Sequence, residues 1–182
     1  IEVLDDADVA LWSIRRRTLP RKQMQVLRKY IADGKPLVAI RTTSHAFCLR
    51  NKKPEAGLDE WPAFDREVLG CFYQNHHGNN LETRVRALPG AAKHPILEGV
   101  GTEEFRVHGS LYRSLPLSAG ATALMTGRAG DITTHQPVAW TYKSPAGGRV
   151  FYTSLGHPKD FEVPGFDRLL LNGIRWAAGL SP

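Results

Sequence analysis

Side chains able to do chemistry gather in four places along this 182-residue chain. The first is Arg41-Thr42-Thr43-Ser44-His45, directly after the apolar run Leu37-Val38-Ala39-Ile40. Ligands of open parallel α/β sheets sit beyond the carboxyl ends of the strands, so this turn is expected to face a crevice. Arg41 stands where a nucleophile elbow would carry its Cys or Ser. Its planar fork of donors suits a carboxylate, a phosphate or sugar hydroxyls; otherwise it pairs with a structural carboxylate. Thr42, Ser44 and His45 add neutral donors and acceptors. Ser44 and His45 are adjacent, and neighbours in sequence rarely meet as a nucleophile and its base, so both are read as ligand contacts.

The second cluster holds Tyr73, Gln74, Asn75, His76, His77 and Asn79. The third is Ser154, Gly156 and His157, and the fourth is His108 with Tyr112. An unperturbed imidazole titrates near neutrality, which suits His157 to general acid–base work. Its alternative role is a hydrogen-bonded brace between a strand and the last helix. A divalent ion held by His76 or His77 together with His45, His108 or His157 is left open, although no Cys/His spacing of a structural zinc site occurs. Trp61, Tyr73 and Tyr112 are read as platforms for a sugar face, whereas Trp140, Tyr152 and Trp176 are read as core.

The elements that must position these groups follow from periodicity. Ala7 to Ile14 has strand character. Thr18 and Pro20 signal a helix start, and Met24, Leu27 and Ile31 line one face of a helix that Gly34 ends. With Leu37–Ile40 this makes a βαβ unit, so the two strands should be parallel neighbours. Residues 49–61 read as an exposed insertion and 61–69 as a short helix. Short strands are expected at 83–88, 105–108 and 122–126. Pro137–Tyr142 and Arg149–Leu155 form a hairpin around Ser144-Pro145-Ala146-Gly147-Gly148, whose Pro and glycines suit a tight turn. A final helix covers about 165–178. The reading is a single α/β domain, a mixed sheet with helices on both faces.

The bulk numbers limit the function classes. A hydrophobic fraction of 42% fits a folded soluble domain, and no apolar run approaches the roughly 20 residues of a membrane span. The chain does not begin with Met, so a cytoplasmic protein and one exported after losing a leader are both open. The formal charge of +6 is concentrated early: residues 1–53 carry 12 Lys/Arg against 5 Asp/Glu, and the remainder 12 against 13. Arg15, Arg16, Arg17, Arg21, Lys22, Arg28 and Lys29 are read as a solvated helix face with its preceding loop. A nucleic-acid patch is the weaker reading, since no recognisable fold or interleaved aromatics accompany it. Cys48 and Cys71 each neighbour a Phe and are read as small buried hydrophobes.

Three stretches resemble ThuA-like (trehalose utilisation) domains: Pro137-Val138-Ala139-Trp140-Thr141-Tyr142, Gly148 to His157, and Leu169 to Gly179. The Lys35-Pro36 strand and the Arg41–His45 turn resemble that family's central strand and elbow. The resemblance implies a flavodoxin-like fold similar to class I glutamine amidotransferases, whose usual first strand–helix unit lies outside this sequence; either another segment supplies that strand or, if none does, a strand edge is exposed. It also implies a carbohydrate or related polyhydroxylated ligand. The amidotransferases carry a Cys at the elbow and a His-Pro-Glu late in the chain. Here those places read Arg41 and His157-Pro158-Lys159, so glutamine hydrolysis is not expected. The candidate catalytic residues are therefore His157 and Arg41. Substrate contacts are expected from His45, Thr42, Ser44, Tyr73, His76, His77, Asn79, His108 and Tyr112. The expected partner is a small sugar-like molecule, with no membrane and no nucleic acid; an oligomer is left open. A non-catalytic binding module on the same scaffold is the alternative.

Overall fold

A computed structural model describes residues 1–181. In chain order the strands are β1 (Ala10–Trp12), β2 (Leu19–Pro20), β3 (Leu37–Ile40), β4 (Leu58–Asp59), β5 (Asn75–His76), β6 (Thr83–Ala87), β7 (Phe105–Val107), β8 (Tyr112–Arg113), β9 (Thr122–Ala129), β10 (Gln136–Lys143) and β11 (Arg149–Thr153). The helices are α1 (Arg21–Ala32), α2 (Phe64–Glu67) and α3 (Pro164–Ala177). Seven strands form one mixed sheet in the order β1-β3-β11-β10-β9-β6-β7. Its first three strands are parallel, with β3 between β1 and β11, and the rest run antiparallel. The expected βαβ unit and late hairpin are both present. Two short ribbons, β2 with β4 and β5 with β8, lie outside the sheet.

Every residue of β3 is buried, which explains its continuous apolar run: a central parallel strand is covered on both faces. One face packs Met24, Leu27, Tyr30 and Ile31 of α1 with Trp12, Phe47, Phe64 and Trp140. The other packs Phe166, Leu169, Leu170 and Ala177 of α3 with Phe151, Val38 and Leu124. Helices thus cover both faces. Helix α3 approaches the sheet so closely that a Cβ on Gly173 would lie on the Phe151 ring, so only glycine fits there.

Trp61 is a correction to the sequence reading. It is buried beside Phe64, its indole N–H donates to Glu67 Oε2 at 2.6 Å, and Arg28 stacks over its ring at 4.2 Å. Packed in this way the ring belongs to the core, and its remaining accessible surface lines small recesses. Trp140 and Tyr152 are fully buried core residues, as expected. Cys71 is buried, Cys48 is half-buried, and both are free thiols.

Candidate functional site

Because β1 and β3 are parallel neighbours, the chain leaves both at the same edge of the sheet. The segment after β1 therefore lies against the turn after β3. Thr43 ties them together: its hydroxyl lies 2.9 Å from the Trp12 carbonyl and 2.7 Å from that of Ile40, and it accepts the Ile14 N–H at 3.1 Å. The Arg16 N–H donates to the His45 carbonyl and the Arg17 N–H to that of Ala46. Buried polar groups paired in this way fix a loop as firmly as a regular element would.

The turn itself is a short 3-10 helix, Arg41–His45. Arg41 enters it with φ of +50°, a left-handed conformation that costs an L-residue of this size roughly 1–2 kcal/mol. The Tyr152 hydroxyl holds the Arg41 carbonyl at 2.6 Å. A sharply turned backbone after the central strand is the geometry of an elbow, here with a guanidinium in place of a nucleophile. That guanidinium lies on Gly109, where a Cβ would come within 2.7 Å of Nη1, and 6.0 Å from the centre of the Tyr112 ring.

A cavity of about 400 Å³ opens between these segments. The turn contributes Arg41, Thr42 and His45, and the loop after β1 contributes Arg15 and Arg16. Arg50, Tyr73, His76, Asn79, Ser110 and Tyr112 complete it. Three rings form one wall: His45 stacks on Tyr73 at 4.3 Å and 20°, and Tyr73 meets Tyr112 edge-on at 5.3 Å. Among the described residues, no carboxylate lines this cavity. A narrower recess of about 110 Å³ adjoins it and shares Arg16, His45, Arg50 and Tyr73 while adding Ser44 and Asp65.

The electrostatics follow from this crowding. Burial, then the charges of Arg16, Arg15 and Arg50, press the His45 pKa down to about 3, so its imidazole is neutral near pH 7. Burial pushes the Tyr112 hydroxyl up to about 12, against the pull of Arg41. Burial likewise raises Tyr73, opposed by Arg16 and Arg50. Asp65 is raised by burial and held back by N–H groups, accepting those of Tyr73 and Arg66 at 2.9 Å each.

The structure thus brings Arg41, Thr42, His45, Tyr73, His76, Asn79 and Tyr112 to one cavity and leaves four expected residues, Ser44, His77, His108 and His157, outside its lining. His157 closes its own turn: its Nδ1 accepts the Lys159 N–H at 3.2 Å, and its ring stacks on His108 at 6.0 Å. Asp160, fully buried, is the hub there. It accepts the N–H groups of Gly156 and His157 at 2.9 Å each and of His108 at 2.6 Å. The His108 ring Nδ1 lies 3.4 Å from the same carboxylate. His77 pairs its backbone with Leu111, and its Nε2 is buried with no hydrogen-bond partner. The candidate ion ligands His76, His77 and His157 are dispersed accordingly, and among the described residues no three His, Cys, Asp or Glu side chains converge. Ser44 is 2% exposed, lines the adjoining recess and does meet its neighbour, with Oγ 3.2 Å from His45 Nδ1.

Sequence reasoning misses Arg15, Arg16, Arg50 and Ser110 as cavity residues, and Asp160 as the hub. The early basic run reads as one face in the sequence, but in the fold it divides. Arg21 pairs with Asp59, Lys29 with Asp33, and Arg28 covers Trp61, while Arg15 and Arg16 turn into the cavity. The signal available is their position just beyond β1, at the carboxyl edge of the sheet. Asp160 has its own signal in His157-Pro158-Lys159-Asp160, a capping-box spacing.

Comparison with known proteins decides the family. The sequence profile described as ThuA, trehalose utilisation, matches residues 2–177. The chain belongs to the ThuA family. No curated protein matches it in sequence. Among solved structures, a putative ThuA-like protein from Bacteroides uniformis superposes with a TM-score of 0.71 at 15% identity, covering 97% of this chain and 71% of that one. A second, from Parabacteroides merdae, gives 0.64 at 18% identity, covering 98% and 73%. A putative GMP synthase protein from Thermoplasma acidophilum gives 0.52 at 15% identity, covering 96% and 77%. At these identities the likeness is one of fold, and it places this ThuA domain beside the amidotransferase-like architecture. No helix is long and apolar enough to cross a membrane among the described residues.

Proposed function

We propose that this ThuA domain binds a carbohydrate or related polyhydroxylated metabolite in the cavity at the ends of β1 and β3. The observation that carries the reading is the wall of His45, Tyr73 and Tyr112 rings beside hydrogen-bonding groups of Arg41, Thr42, Asn79 and Ser110. Sugars present an apolar face of C–H bonds and a rim of hydroxyls, and a ring wall facing a polar rim matches both. The volume falls within the ordinary range of small-molecule sites, roughly 300–1,000 Å³.

Covalent catalysis has no support in this geometry. The elbow carries Arg41, Ser44 is enclosed, and burial lifts the Cys71 thiol well above its usual range. A neutral His45 has one acceptor and one donor ring nitrogen, so it can meet a hydroxyl from either side. We read the domain as a binder, with Arg41 orienting the ligand. Titration calorimetry with glucose and trehalose tests this on the wild type and on Tyr73→Ala. Saturable heat that weakens about tenfold in the variant is expected, roughly the 0.5–1.5 kcal/mol of a ring contact plus its buried area. Absence of any saturable signal with sugars, neutral or charged, would remove the reading.

A further inference from the structure

Two arginine clusters of the molecule differ in one respect. At the outer edge of the sheet, Arg128 binds Glu104 through two nitrogens, at 3.1 and 2.9 Å. Arg84 and Arg106 there face Glu82. In the cavity, Arg15, Arg16, Arg41 and Arg50 converge with no carboxylate among its lining residues. Among the described residues, no ion pair joins any of the four to an acid. The one acid of the adjoining recess, Asp65, already receives two backbone N–H groups.

Like charges held together cost free energy unless a counter-charge joins them. The protein nevertheless holds three of these four forks in place. Arg16 donates to the Cys48 carbonyl at 3.0 Å, Arg50 to Asn75 at 3.3 Å, and Arg41 is seated between Gly109 and Tyr112. A guanidinium has five N–H donors, so these contacts leave Arg16 and Arg41 with donors for a further acceptor. The mutual crowding registers on the residues themselves: Arg16 is lowered by burial and then by Arg50. A nucleic-acid surface would be open and spread along the chain, whereas this cluster is concave and its helical basic neighbours are occupied elsewhere.

We propose that the ligand carries an oxyanion, phosphate or carboxylate, held by Arg15, Arg16, Arg41 and Arg50, while its polyol body lies along the Tyr73 and Tyr112 wall. The ligand class is thus a sugar phosphate or sugar acid, not a neutral sugar. This rests on the reading that the cavity takes a polyol. Guanidinium forks match both oxyanions bidentately, and charge-assisted bonds are about twice as strong as neutral ones.

Calorimetry with glucose, glucose 6-phosphate, glucuronate and inorganic phosphate separates the possibilities. The proteins are the wild type, Arg16→Gln, Arg41→Gln and, as a control at the far edge, Arg128→Gln. Circular dichroism checks that each is folded. Glucose 6-phosphate or glucuronate is expected to bind at least about tenfold more tightly than glucose, about 1.4 kcal/mol. The preferred one of the two identifies the oxyanion. The advantage should shrink with added salt, vanish in Arg16→Gln and Arg41→Gln, and persist in Arg128→Gln. Glucose binding as tightly as both charged sugars overturns the oxyanion subsite and leaves the sugar reading standing. Inorganic phosphate matching glucose 6-phosphate upholds the subsite and discards the sugar body. An advantage that survives both cavity substitutions overturns the assignment to these arginines. Silence from all four probes removes both readings.

Discussion

Strands β3 and β11 lie side by side in parallel, Ile40 opposite Thr153, yet their carboxyl-end turns have opposite character. After β3 the chain bends through a left-handed Arg41 and opens onto a cavity crowded with guanidiniums that no acid of its lining neutralises. After β11 it bends through Gly156, with φ of +113°, and closes on the carboxylate of Asp160. Position at a strand end is therefore not enough to make a site. The β11 turn directs its polar groups onto itself, whereas the β3 turn exposes Arg41, Thr42 and His45 to the cavity. The contrast predicts which turn carries stability. Asp160→Ala orphans three N–H donors, each worth about 1–3 kcal/mol when buried, so urea unfolding should register a loss of roughly 3–5 kcal/mol. A loss below about 1 kcal/mol would mean that the two turns do not differ as described.

The β3 turn should respond in the opposite way. Arg41→Gly removes the guanidinium and relieves the left-handed backbone, gaining roughly 1–2 kcal/mol. The added freedom of the unfolded chain takes back about 0.5–1 kcal/mol. Stability should consequently stay within about 1 kcal/mol of wild type. Binding of glucose 6-phosphate should fall some ten- to hundredfold, as loss of a charged hydrogen bond of about 1.5–3 kcal/mol implies. Urea midpoints and calorimetry on the same preparation check both halves. A large stability loss with intact binding would make Arg41 a brace of the Asp160 kind.

The same contrast explains what the sequence could and could not disclose. Leu37–Ile40 reads as a buried central strand because four apolar residues in succession suit nothing else so well, and Arg41–His45 is its sequel. The α1 and α3 stripes and the hairpin turn are equally local signals. The partners of a turn are not local. Arg15 and Arg16 reach the cavity only because β1 and β3 are neighbours and Thr43 bonds across to Trp12 and Ile14. Arg50 and Ser110 arrive from loops with no periodicity to place them. His157 resembles a site residue because it follows a strand and a glycine; its backbone is tied to Asp160, whose bond to the distant His108 N–H spans 52 positions. Local patterning places elements, and long-range pairing decides which polar residues stay free.

His45 offers the finest measure of that freedom. Its folded pKa of about 3 lies well below the unfolded value near 6.5. Above pH 6.5 both states are neutral and the residue contributes nothing to the pH dependence. As the pH falls toward 3, the unfolded chain takes a proton that the folded protein refuses, so stability declines by at most about 1.4 kcal/mol per pH unit. Below about 3 both states are charged and the decline stops. His45→Gln keeps a polar planar group against Tyr73 and removes the proton. Urea midpoints between pH 7 and 4.5 should therefore fall less steeply in His45→Gln than in the wild type, other carboxylates contributing equally to both. Loss of the Tyr73 stack would shift the variant's curve without tilting it. Equal slopes would mean that the imidazole charges freely beside Arg15, Arg16 and Arg50, and the crowding of cations that sets this turn apart from its neighbour would have to be abandoned.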